Sequence, residues 1–345
     1  MRRDLHRDRL VYRWDLDKTY LRTEFDTLRD LFLTAFETEH QKRTVPGAAA
    51  LLREIQASGP AGIYILSGSP EQMRRVLEAK LRLDGIRWDA LTLKPNLNNL
   101  LRGRFRAMKD QVGFKLDAML AARQSLAPEL DEVLFGDDAE TDAFVYSLYA
   151  DLCAGHVGAD VLERVLAQAA VTEAQAAALL GRLGRVPKRD CCARIFIHLE
   201  RVSSLERFEV YGGRVCPFYN YLQPALVLVE LGAMDASAAL RVAADLVIDQ
   251  GFGAEALMAS YEELLARGQL THTAAERLLA ALDRTGESDL ATAGRVVHAF
   301  GELLARMPGT VAPEPAKRPA LDYASLLSQE RERVKEARTR ARLRG

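Results

Sequence analysis

The chain has 345 residues, 48% hydrophobic and 28% charged, a composition that suits about two globular domains and excludes disorder, collagen and coiled coil. Its 47 Lys plus Arg stand against 48 Asp plus Glu, and a net charge of -1 excludes a global electrostatic attraction to nucleic acid or an anionic membrane. Cys153, Cys191, Cys192 and Cys216 show neither C-x-x-C nor zinc spacing, the pattern of reduced thiols in an intracellular chain.

The charged start, Met1 to Asp8, lacks the apolar core of a signal peptide, and no run reaches membrane-span length, so a soluble, cytoplasmic protein is expected. Leu10 to Trp14 reads as a strand, Gly47 to Ala57 as a helix, and Gly62 to Leu66 as a second strand. Pro70 to Leu81 has helical spacing: Ser69 can cap it, and Met73, Val76, Leu77 and Leu81 share one face. Lys115 to Arg123 is helical in pattern, and Glu132 to Phe135 is a third buried strand, closed by Gly136-Asp137-Asp138. Short apolar strands alternating with amphipathic helices predict an α/β fold, a Rossmann-like parallel sheet with helices on both faces. Such sheets bind ligands beyond the carboxyl ends of their strands.

After about Gly155 the pattern turns mainly helical. Helices are expected within Asp160 to Leu183, then over Ala236 to Val247, Ala254 to Arg267, Thr273 to Leu282 and Leu290 to Met307. Thr273 with Glu276 has capping-box spacing, and Asp235 and Ser288 are candidate caps. Ile195-Phe196-Ile197 has strand character. Val311 to Pro319, with three prolines, reads as a linker, and Ser325 to Arg344 as a charged helical tail. The expected domains are an α/β unit over 1–155, an α-helical unit over 156–310, and the linker and tail over 311–345.

The chemistry gathers where the strands stop. Asp15 and Asp17 follow the first strand two residues apart, a spacing that aims both carboxylates at one pocket in extended chain. One can attack phosphorus while the other handles the leaving-group proton, and a divalent cation relieves their repulsion. The second strand runs into Ser67-Gly68-Ser69-Pro70, a hydroxyl and a glycine before a helix, which is a phosphate cradle or an ordinary cap. The third ends in Gly136-Asp137-Asp138-Ala139-Glu140-Thr141-Asp142, where Asp137 is the first choice of oxygen ligand for a hard cation with Asp138 and Asp142 as its partners, or the stretch is an acidic turn capping the next helix. Lys115, with Lys94 as its rival, can neutralise charge on a phosphoryl group in transfer.

An aspartate pair, a strand-end serine, a lysine and an acidic cluster, in that order, resemble the four motifs of the haloacid dehalogenase-like hydrolase superfamily. Within it, Tyr64-Ile65-Leu66-Ser67-Gly68-Ser69-Pro70 and Leu134-Phe135-Gly136-Asp137-Asp138 are similar to the catalytic domain of App1-type phosphatidate phosphatases. The similarity runs from about Arg13 to Asp151. Lys18 stands where that group usually has another aspartate, and the helical half has no counterpart.

The resemblance implies a magnesium-dependent phosphatase that cleaves a phosphomonoester through an aspartyl-phosphate. Asp15 would be the nucleophile and Asp17 the general acid and base, while Ser67 would donate a hydrogen bond to the phosphoryl oxygens and Lys115 would neutralise charge. The Mg2+ ligands would come from Asp15, Asp17, Asp137, Asp138 and Asp142. The implied partner is a phosphorylated substrate of the phosphatidate class. A nucleotide, a nucleic-acid end or a phosphoprotein keeps the same site, and a binding module with a vestigial site is the reading from another class. The short intervals from Thr19 to Ser67 and from Ser67 to Lys115 leave no space for a large inserted lid. The segment Asn220 to Pro224 is then either a shield over the pocket or a packing element of the helical half.

Overall fold

The computed structural model describes residues 5–21, 44–95, 104–200, 203–286, 290, 292–307 and 320–344, with the backbone alone over 104–111 and 334–344. Six strands form one sheet: β1 (Leu10–Asp15), β2 (Gly62–Pro70), β3 (Ala90–Lys94), β4 (Asp131–Asp137), β5 (Cys192–His198) and β6 (Val215–Phe218). Their order is β3-β2-β1-β4-β5-β6, and every pairing is parallel. The order reverses between β1 and β4, so the crevice between the carboxyl ends of those two strands is the place such a sheet offers to a ligand. Strands β5 and β6 lie beyond residue 155 yet continue the same sheet.

Alternation along the strands feeds two cores, one on each face. Val133 and Phe135 of β4 and Phe196 of β5 belong to one core, Leu134, Ile195 and Ile197 to the other. The first face carries α1 (Ala48–Ala57) and α2 (Arg74–Leu83); the second carries α3 (Arg104–Ser125), α4 (Asp142–Ala154), α5 (Ala159–Gln168) and α6 (Glu173–Leu183). The first core continues into α7 (Leu222–Glu230), α8 (Ala236–Gln250), α9 (Ala254–Ala266), α10 (His272–Leu282) and α11 (Gly294–Ala305). A last helix, α12 (Tyr323–Arg344), returns to the second face, where Tyr323, Leu326 and Leu327 are buried. The architecture is therefore a helix-flanked parallel sheet followed by a largely helical region.

Central position explains strand content. β1 is buried at all six residues and β4 at all seven, as strands covered on both faces must be. Trp14 stacks on Phe135 at 3.9 Å between ring centroids and 7° between planes, locking β1 to β4 one residue before Asp15 and two before Asp137. Such a stack adds about 0.5–1.5 kcal/mol to its area burial. Helix α4 is buried on all sides except at its last residue, the signature of a helix sunk between sheet and neighbouring helices.

Several local expectations shift. The chain stays extended through Pro70, which pairs with Lys94, and α2 starts only at Arg74 after a single 3-10 turn. Ser69 is therefore not a helix cap. Lys115 sits mid-helix, because α3 begins at Arg104. The span from Asp160 to Leu183 holds two helices, separated at Ala170, whose φ is 57°. Helix α10 starts at His272 with Thr271, not Thr273, as its N-cap, and Asp235 precedes α8 but gives its carboxylate to Arg7. Ser288 and the proline-rich stretch 311–319 lie outside the described residues. Asn220 to Pro224 packs inward: Tyr221 is buried against Trp14 and His198, and α7 is buried along its whole length.

Candidate metal and catalytic site

Strand β1 delivers Asp15 and β4 delivers Asp137 to the same edge of the sheet, one on each side of the order reversal. The turn after β4 then carries Glu140 and Asp142 back toward them. Asp137 shapes that turn, since its Oδ1 accepts the N–H groups of Ala139 at 2.6 Å and Glu140 at 3.0 Å. The Asp137 N–H in turn donates to Asp142 Oδ2 at 3.1 Å. One oxygen from each of Asp15, Asp137, Glu140 and Asp142 lies within 4.8 Å of the others.

Gly136 makes this approach possible. A Cβ at that position would come within 2.6 Å of Asp142 Cβ and 2.8 Å of its Cγ, closer than real atoms tolerate. Gly136→Ala must push the first turn of α4 outward. The expected result is divalent-cation binding weakened by about 10–100-fold, read by Mn2+ titration, with a folding cost of about 1–3 kcal/mol from overpacking.

Lys115 reaches in from α3. Its Nζ lies 3.3 Å from Asp15 Oδ1 and 2.8 Å from Glu140 Oε2, and it donates to Asp142 Oδ1. Burial works against its charge, yet Asp142, Asp15 and Glu140 outweigh burial and hold the ammonium well above its ordinary pKa. For the carboxylates the balance reverses. Burial lifts Asp15 and Asp137 well above the ordinary carboxyl range, Lys115 opposes the rise, and the neighbouring acids add to it. Asp142 is raised for the same leading reason.

This arrangement fits a divalent cation. Four carboxylates face one ammonium in a buried site, and the donors are all oxygen, as a hard ion prefers. Neither oxygen of Asp15 accepts a hydrogen bond, and Asp137 Oδ2 is likewise unsatisfied. Buried carboxylate oxygens without partners are costly unless a positive ligand meets them.

Asp17, Ser67 and Ser69 form a second group beside the first. Ser67 Oγ donates to Asp17 Oδ2 at 2.6 Å, and Ser69 Oγ donates to Asp17 Oδ1 at 3.0 Å. Burial raises the Asp17 carboxyl, and the two hydroxyls pull partly against that rise. The β1 loop that bears Asp15 and Asp17 is held from behind. Tyr221 Oη donates to the Thr19 carbonyl, and His198 Nδ1 stands 3.2 Å from the Lys18 carbonyl, with Lys18 at φ 59°.

The structure thus brings together Asp15, Lys115, Asp137 and Asp142, and adds Glu140, an acid of the same turn that the sequence pattern does not single out. Asp138 stands apart from them. Its N–H donates to the His198 carbonyl at 3.0 Å and its Oδ2 accepts the Ser203 N–H at 2.9 Å, so it faces the end of β5 and Ser203. Strand alternation carries that signal, because Asp137 and Asp138 must point to opposite sides where the chain is extended. Lys94, the rival to Lys115, ends β3 at the far edge of the sheet.

Residues 14–162 match the family model described as phosphatidate phosphatase APP1, catalytic domain. The matched segment runs from the last residues of β1 into α5 and includes every carboxylate of the cluster, Lys115 and both serines. It covers less than half of the 345-residue chain; β5, β6 and α6 to α12 lie outside it. No curated protein and no solved structure matches the chain. Among the described residues, no helix is long and apolar enough to cross a membrane. The APP1-type segment and its buried carboxylate cluster are consistent with a metal-binding catalytic site of a phosphoesterase-like enzyme.

Proposed function

We propose that the chain is a Mg2+-dependent phosphomonoesterase of the haloacid dehalogenase-like superfamily, working through an aspartyl-phosphate on Asp15. The observation that carries this reading is the convergence of Asp15, Asp137, Glu140 and Asp142 on Lys115 at the strand-order reversal. Asp15, Asp137 and Asp142 would hold the cation, with Glu140 alongside; Asp17 and Asp138 are more distant candidates. The cation, when bound, offsets negative charge on the carboxylates and on the phosphoryl oxygens.

Asp15 supplies the nucleophile: a carboxylate oxygen without a hydrogen bond keeps its lone pair available for phosphorus. Lys115 opposes the burial that raises the Asp15 carboxyl, favouring its ionised form, and meets the charge that collects on the transferring group. Asp17 suits the proton transfers. Burial favours its neutral form, which can protonate the leaving alkoxide, and the resulting carboxylate then takes a proton from water to release the phosphate. Ser67 holds Asp17 in the free protein; protonation of Asp17 removes an acceptor site, which frees the Ser67 hydroxyl for a phosphoryl oxygen.

The test is turnover of a generic aryl phosphate with and without Mg2+. Turnover that EDTA abolishes and Mg2+ restores is expected. Its absence, together with no metal-linked gain in melting temperature, would favour a binding module instead. The APP1 match favours a lipid phosphomonoester, so phosphatidate in mixed vesicles should outcompete a nucleotide and a phosphopeptide.

A further inference from the structure

The loop that carries the acidic cluster is gripped from outside by the end of the chain. Arg333, on α12, donates through Nη1 to the Asp138 carbonyl at 3.3 Å and through Nη2 to the Glu140 carbonyl at 3.5 Å. Arg207 also donates to the Asp138 carbonyl, at 3.2 Å, and to Ser203 Oγ at 3.1 Å. Glu330 joins the two arginines. It accepts from Arg207 at 2.9 and 3.1 Å and from Arg333 at 2.7 and 3.0 Å, and it is buried.

The peptide unit between Asp138 and Ala139 is the critical piece. Its C=O points outward to the two guanidinium groups, while its N–H points inward to Asp137 Oδ1. A planar peptide cannot turn one end without the other. The arginines thereby fix the N–H that holds Asp137 Oδ1, and that bond leaves Asp137 Oδ2 as the unsatisfied oxygen. Charge runs in the same sense along the unit, from the guanidinium groups through the peptide dipole to the carboxylate.

We infer that Arg207, Glu330 and Arg333 form a clamp through which the C-terminal helix positions the metal-ligating loop 137–142. The clamp itself is a matter of loop geometry; its consequence for cation affinity rests on the proposed metal site. Arg207, Glu330 and Arg333 touch no reacting atom and act as positioning residues. Loss of such outer partners commonly weakens metal binding by about 10–100-fold.

The decisive experiment compares the full-length protein with Arg333→Ala and with the Arg207→Ala/Arg333→Ala double variant. Hydrogen exchange of a peptide spanning 138–141 is measured without metal, and Mn2+ affinity by titration. We expect exchange at Ala139 and Glu140 to quicken about tenfold and Mn2+ to bind about tenfold more weakly, with far-UV circular dichroism unchanged. The Mg2+ concentration for half-maximal turnover should rise in step, while turnover at saturating Mg2+ stays within about twofold. The single variant removes a partly exposed side chain and keeps the comparison usable if the double variant folds poorly. Unchanged exchange overturns the clamp, and faster exchange with unchanged Mn2+ affinity overturns its link to the cation. A wild-type protein that takes up no Mn2+ refutes the metal reading instead, and exchange still decides the clamp.

Discussion

Asp15→Asn should lower aryl-phosphate turnover by about three orders of magnitude or more while making the metal-free protein more stable at neutral pH. The first effect follows from the loss of a nucleophile. The second follows from burial: the Asp15 carboxyl is raised well above its ordinary value mainly because it is desolvated, so its ionised form weakens the fold. The sign is fixed by proton uptake. Between about pH 3.9 and the raised folded value, the folded state binds more protons at this site than the unfolded chain, and stability contributed by the site falls as pH rises. Asparagine does not titrate and carries no charge, so the variant lacks this decline. Its advantage over wild type in metal-free melting should therefore grow from pH 4 upward and level off once Asp15 is ionised. Saturating Mg2+ should reverse the order, because only wild type retains the Asp15 charge that the cation meets. Retained turnover removes Asp15 from the nucleophile role, and a variant less stable than wild type at pH 8 without metal contradicts the account of its burial.

The same physics marks how far the amino-acid pattern reaches. Asp15 and Asp137 are legible because each ends a run of buried strand residues, and an acid at the end of an apolar strand has few structural reasons to be there. Asp142 and Lys115 follow from their order along the chain. Glu140 is not legible in this way: its place depends on the turn that Asp137 Oδ1 imposes on the backbone of 139 and 140, a feature with no period. Ser69 misleads for a related reason. A serine before a proline and an amphipathic run has the pattern of a cap, but its hydroxyl is claimed by Asp17 across the sheet end. The strands that the pattern does not announce, β3 and β6, are the two edges of the sheet. β3 is five residues of mixed burial and β6 is four residues that include Pro217, which only an edge strand accommodates readily. The clamp on the acidic loop joins residues up to 195 positions apart and leaves no local trace at all.

Lys115→Met provides the complementary measurement, since it removes the cation and leaves the acids. The side chain is fully buried and meets Asp15, Glu140 and Asp142, so a neutral replacement of similar length strands three carboxylates in a low-dielectric pocket. Removing one partner of a buried charge pair costs about 3–5 kcal/mol, and that is the expected loss for the metal-free variant near pH 8. The ammonium itself stays protonated through and above neutrality, because its carboxylate neighbours raise it. Any pH dependence of the difference below pH 8 therefore reports the acids. Without Lys115 opposing them, Asp15, Asp137 and Asp142 rise further, the folded variant takes up more protons than folded wild type, and its deficit should shrink as pH falls toward 5. Millimolar Mg2+ should shrink it as well, by putting positive charge back among the same oxygens. Turnover should not return with stability, since loss of an aimed cation costs about 10²–10³ in rate on its own. Urea melts at pH 5 and pH 8, each with and without Mg2+, separate this from a simple packing defect, which would show the same deficit in all four. Adding Asp15→Asn to Lys115→Met should recover more stability at pH 8 than the same change gains in wild type, because Lys115 no longer offsets the charge it removes; an equal gain in the two backgrounds would show that the two groups do not share one electrostatic site.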